Sequence, residues 1–64
     1  MTLAEWMARE GVSDADVAAK VGRERSVISR LRRGKHVPSV ALMRALIELS
    51  NGEIDAHTLM SEAA

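Results

Sequence analysis

Apolar residues recur every three or four positions along this chain, in short runs that glycine, asparagine and proline interrupt. The interruptions fall at Gly11, Gly22, Gly34, Pro38 and Asn51-Gly52. Each stretch between them has the length of a short helix. A first helix is predicted over about residues 3–10, capped by Thr2, with Leu3, Trp6 and Met7 on one side. Ser13 is placed to cap a second over about 14–21, whose inner stripe is Val17, Ala18 and Val21. Asp14 and Asp16 fall in its first turn and Lys20 in its last, as the helix dipole favours. A third helix is predicted over about 25–33. Helical projection groups Ile28 and Leu31, with Val27 at their edge, opposite an acid-free face of Ser26, Ser29, Arg30 and Arg33.

Ser39 follows Pro38 as the cap of a fourth helix, about 40–50, which Asn51-Gly52 closes in left-handed geometry. Asp55 caps a last short helix running through about Ser61, and Ser61 to Ala64 are expected to fray. No segment sustains the period-two alternation of a strand, and Trp6 is the only aromatic residue. The expected fold is therefore all-α, a compact bundle of five short helices.

Length and cysteine content limit how such a bundle is held together. The sequence has 64 residues and no cysteine, so one domain spanning 1–64 is expected, held by hydrophobic packing or by association with another subunit. No apolar run approaches the roughly 20 residues of a membrane span, and the N-terminus lacks the basic and apolar regions of a signal peptide. A cytoplasmic location is the expectation.

The formal net charge is zero, but the charges are segregated. Seven of the nine basic residues lie between Lys20 and Lys35 (Lys20, Arg23, Arg25, Arg30, Arg32, Arg33, Lys35), with Glu24 the only acid among them. A local field of this kind attracts an anionic partner whatever the total charge. Solvation alone explains most charge runs, but crowding unshielded like charges into one short region costs stability unless an anion compensates.

The stretch from Ser13 to Gly34 resembles the helix-turn-helix of the Cro and lambda-repressor family. Ala18 is small where the second and third helices cross closely. Gly22 permits the tight turn between them, Ile28 and Leu31 anchor the third helix, and Gly34 ends it. The loop Lys35-His36-Val37-Pro38-Ser39 is also similar to the family's. The resemblance runs from Leu3 to Leu59 and implies a lambda-repressor-like bundle that binds double-stranded DNA, with residues 25–33 as the recognition helix in the major groove.

Carried over by position, the resemblance implies base-edge contacts from Arg25, Ser26 and Arg30, and Ser29 joins them on the same face. Arginine suits guanine, whose O6 and N7 accept its paired donors. Arg33, Lys35 and the backbone at Ser39 fall where family members grip phosphate, and Lys20, Arg23 and Arg32 add attraction. Two positions depart from the usual pattern. Asp14 stands where many members carry a phosphate-contacting glutamine, and Arg23 where many carry an apolar residue. An aspartate repels phosphate, so Ser13 or backbone N–H groups are the expected substitutes there. Glu24 is read as a partner of the helix dipole rather than as a spacer against wrong bases.

Other chemistries find less support. His36 and His57 lie in different segments without cysteine or a paired carboxylate, so no metal site is expected. A serine nucleophile would need a base and a pocket that so short a helical chain hardly offers. No enzyme activity, cofactor or small-molecule effector is expected, and Trp6 on the apolar stripe belongs to the core rather than to a base stack.

The expected function is a small Cro-like repressor, of phage or prokaryotic type, that acts by occupying a promoter. The alternative is a protein-interaction module, such as an antitoxin or phage adaptor. RNA binding is disfavoured because the deep, narrow major groove of an A-form duplex excludes a helix. A homodimer on a palindromic operator is expected, because the fourth helix carries a second apolar stripe. Leu42, Leu46 and Leu49 point one way; Val40, Met43 and Ile47 point nearly opposite, and Met60 extends them.

Overall fold

The computed structural model describes the backbone of residues 1–63 and the side chains of residues 1–60. The described residues form five helices and no strand: α1 (Leu3–Glu10), α2 (Asp14–Val21), α3 (Arg25–Arg32), α4 (Val40–Leu49) and α5 (Ala56–Ala63). The all-α expectation holds, with small shifts at three helix ends. Arg33 and Ser50 prove to be the residues that cap α3 and α4 rather than their last turns. The backbone of α5 is helical through Ala63, past the expected end near Ser61. Ala64, the end of the segment expected to fray, lies outside the described residues.

Local hydrogen bonding explains why each helix starts where it does. Thr2 Oγ1 accepts the N–H of Glu5 at 3.0 Å while Glu5 Oε1 accepts the N–H of Thr2 at 2.9 Å. Ser13 and Asp16 make the same reciprocal pair at 3.1 and 2.9 Å. Each box satisfies two backbone donors that a helix start would otherwise leave open. Ser39 Oγ accepts from Leu42 N–H, and Asp55 Oδ1 from Thr58 N–H.

The helix ends follow the opposite logic. Gly22 takes a left-handed φ of 70° directly after α2, a conformation that costs an L-residue roughly 1–2 kcal/mol. α3 closes through paired bonds, with Lys35 N–H donating to Arg30 O at 2.8 Å and Gly34 N–H to Leu31 O at 3.0 Å. Asn51 and Gly52 close α4 in the same way, onto Glu48 O and Ile47 O. Asn51 is the only non-glycine residue at positive φ among those described.

The capped helices bury their apolar faces in one core. Leu3, Trp6 and Met7 of α1, Val17 and Ala18 of α2, Ile28 and Leu31 of α3, and Leu42 and Leu46 of α4 meet there with Ile54 and Leu59. Val12, Val21, Val27, Met43 and Leu49 pack at its edge. Trp6 lies in this core, as expected. α2 packs most closely on α3 and also touches α4, while α1 rests on α3 and α5 on α4. Burial of Ile28 and Leu31 fixes the roll of α3, so its opposite face points to solvent.

Candidate nucleic-acid interface

The outward face of α3 carries the exposed arginines Arg25 and Arg30. Arg25 and Ser26 occupy its first turn and Arg30 its last; all three are exposed, and Ser29 is half-buried between them. Arg25, Ser26 and Ser29 line an open depression whose other walls are Glu24 and Asp14. That depression lies between the starts of α2 and α3, so it joins the two helices of the turn into one surface. Among the described residues Arg25 and Arg30 enter no ion pair. Their guanidinium donors remain available to a ligand.

Other cations border this face. Arg33, the C-terminal cap of α3, donates from Nε to Ser29 O at 3.2 Å, an exposed bond to its own helix. Lys35 is exposed one residue past the left-handed Gly34. Arg23 donates from Nη1 to Gly22 O at 3.3 Å, and Lys20 is exposed in the last turn of α2. Ser39 presents the start of α4 to solvent. The N–H groups of Val40 and Ala41 lie in its first turn, where a helix offers donors to an anion.

Arg32 stands apart from these. Its Nε and Nη2 donate to Asp14 Oδ1 and Oδ2 at 2.8 and 3.1 Å, a two-pronged ion pair between the last turn of α3 and the first of α2. The Asp14 side chain is only 19% exposed. The Arg32 guanidinium, with Arg25 and Arg33 nearby, holds the Asp14 carboxyl below the ordinary carboxylate range. Sequence reasoning missed this pair. It set Asp14 down as a helix-dipole partner and Arg32 as a free cation, and nothing local links residues 18 positions apart.

At the start of α2, Ser13 spends its N–H on Asp16 and accepts the Asp16 N–H on its hydroxyl. Those two groups are therefore already engaged. Glu24 is the N-cap of α3 but makes no side-chain cap bond, unlike Thr2, Ser13 and Ser39. Its carboxylate stays exposed beside Arg25.

The second apolar stripe of α4 is only partly exposed. Val40 is 62% exposed and Met60 47%, whereas Met43 and Ile47 are half-buried and Met43 packs against the core. α4 packs against α2 and α5, and Val40, Ala41, Arg44 and Glu48 are its exposed residues. Among the described residues no helix is long and apolar enough to cross a membrane.

Comparison with known proteins places the chain in a family. No curated protein and no solved structure matches the chain significantly. A helix-turn-helix domain profile matches residues 1–56, which takes in α1 to α4 and the depression between α2 and α3. The chain therefore belongs to the helix-turn-helix domain family, consistent with the Cro and lambda-repressor type, and the domain points to a DNA-binding regulator.

Proposed function

We propose that this chain is a sequence-specific transcriptional repressor that inserts α3 into the major groove of double-stranded DNA and occupies a promoter. One observation carries the reading: Ile28 and Leu31 are buried, which turns Arg25, Ser26 and Arg30 outward together on a face with two unpaired guanidinium groups. An α-helix fits the major groove, and arginine reads guanine there. In this reading Arg25, Ser26, Ser29 and Arg30 contact base edges. Arg33, Lys35, Arg23, Lys20 and the start of α4 at Ser39 hold the phosphates. A domain seated this way on a promoter excludes polymerase by occupancy.

The reading includes a homodimer on a palindromic operator, with Val40 and Met60 at the centre of the interface and Met43 and Ile47 behind them. What supports it is the exposure of Val40 and Met60 on helices that pack together, since apolar side chains that join into one exposed patch mark an interaction surface.

Selection of bound sequences from a random duplex library tests the whole reading. It is expected to return a site with guanine at the positions facing Arg25 and Arg30, bound with strong salt dependence. Recovery of no preferred duplex would refute sequence-specific recognition. Equal affinity for duplex RNA would refute the major-groove geometry.

A further inference from the structure

We propose that Arg32 is a positioning residue: it neutralises Asp14 at the DNA-facing end of α2, is withheld from phosphate, and so keeps Arg25 available for the bases. The proposal rests on the DNA-binding reading above. In a helix-turn-helix the first helix crosses the phosphate backbone while the second lies in the groove. Asp14 is the first residue of α2, so its carboxylate stands where the helix start would otherwise attract phosphate. Unpaired, it would repel the backbone.

Asp14 also borders the same depression as Arg25, and Arg25 and Arg33 both act on its charge. Without Arg32, this carboxylate would compete with DNA for the very arginine that faces the groove. The two-pronged contact removes both problems, since Arg32 engages each carboxylate oxygen. Fork-to-fork pairing of this kind is the strongest geometry open to the two groups. Asp14 and Arg32 together then contribute no net charge to the interface. Of the seven cations between Lys20 and Lys35, Arg32 is the one not counted among those that neutralise DNA.

Four proteins decide the matter: the parent, Asp14→Asn, Arg32→Gln and the double variant, each titrated with a specific and a random duplex across salt concentrations. Circular dichroism first establishes that each is folded, since the pair is partly buried. Asp14→Asn frees Arg32 for the backbone. Its salt slope is expected to steepen by about 1 on every duplex, which widens the affinity ratio between 50 and 200 mM salt by roughly three- to fourfold. Arg32→Gln exposes Asp14, weakens binding to every duplex and reduces preference at the base pair facing Arg25.

The double variant replaces the ion pair with two neutral amides and is expected to keep the parental slope and an affinity within a few fold. A double variant whose slope falls in magnitude by about 1 would show that Arg32 grips phosphate directly, and would overturn the proposal alone. Asp14→Asn indistinguishable from the parent would overturn it as well, by placing the pair away from DNA. Failure of the parent to bind any duplex in a salt-dependent way would overturn the DNA-binding reading and this proposal with it.

Discussion

Ser50 Oγ accepts the buried N–H of Ile54 at 3.0 Å and donates to Ile47 O at 3.1 Å. Ser50 is the one buried polar residue among those described, and it ties the end of α4 to the segment that leads into α5. Removing the hydroxyl strands a donor that water does not reach. Ser50→Ala is expected to lower stability by about 1–3 kcal/mol, the cost of an unsatisfied buried amide. Urea unfolding checks this: the midpoint falls while the slope with denaturant stays constant. A midpoint equal to the parent's would mean that Ile54 N–H finds another acceptor.

Base readout is the most direct test of α3. Arg30→Ala is expected to cost about 1–3 kcal/mol on the specific site and to relax preference at one base pair, because it removes paired donors from the groove. Arg25→Ala acts likewise at a neighbouring pair. The measurement is affinity for the specific duplex and for a random one. Equal losses on both would reassign the residue to phosphate.

Arg33 and Lys35 are expected to behave differently. Arg33→Ala or Lys35→Ala weakens binding to all sequences and lowers the magnitude of the salt slope by about 1 each, with sequence preference intact. Arg33 holds Ser29 O through Nε alone, which leaves its Nη donors to reach phosphate. An unchanged slope for Arg33→Ala would show that its guanidinium points away from the backbone.

Acid is expected to destabilise the fold through a definable set of carboxylates. Arg32 lowers the Asp14 carboxyl and Arg9 lowers Glu53, the latter through a two-pronged contact that also clasps α1 to the loop after α4. The Thr2 and Ser13 N–H groups lower Glu5 and Asp16, and Thr58 lowers Asp55. Each folded-state pKa lies below its unfolded value, so these interactions contribute fully at neutral pH. The unfolded chain takes up protons first as the pH falls below about 4.5, near ordinary carboxylate values. Stability then declines as the pH drops further through the folded values. Urea midpoints measured between neutral pH and pH 3 should fall in that window, and a flat profile would contradict the assignment.

Most of the fold could be read from local chemistry. Thr2, Ser13, Ser39 and Asp55 cap the helices they were expected to cap, because a cap depends on residues within one turn. The stripes of α1, α2 and α3 identified Leu3, Trp6, Val17 and Ile28 as core for a similar reason, since helical periodicity decides which side chains face inward. What local pattern does not contain is pairing between elements. Asp14 with Arg32 and Arg9 with Glu53 depend on how helices cross. The partial burial of Met43 and Ile47 depends on it too. In the candidate site, the outward face of α3 was therefore legible, and the neutral pair beside it was not.

The last prediction concerns association, and the exposure pattern decides which residues test it. Met43 packs against the core and Ile47 is half-buried, so glutamate at either position would disturb the fold along with any interface. Val40 and Met60 are 62% and 47% exposed, and polar side chains there leave the monomer's own packing intact. A globule of 24 × 21 × 19 Å is of a size at which two copies related by a twofold axis can set their α3 helices about 34 Å apart, one turn of DNA. Val40→Ser combined with Met60→Glu, which puts no negative charge at the phosphate-holding start of α4, is expected to give a folded monomer that still binds a half-site. Its affinity for the full palindrome should fall, because the second copy no longer gains from the first. Sedimentation of parent and variant, free and on palindromic duplex, checks this: the parent sediments as a dimer and the variant as a monomer. A parent that stays monomeric at high concentration in both conditions would refute the dimer and leave recognition to one α3 helix at a time.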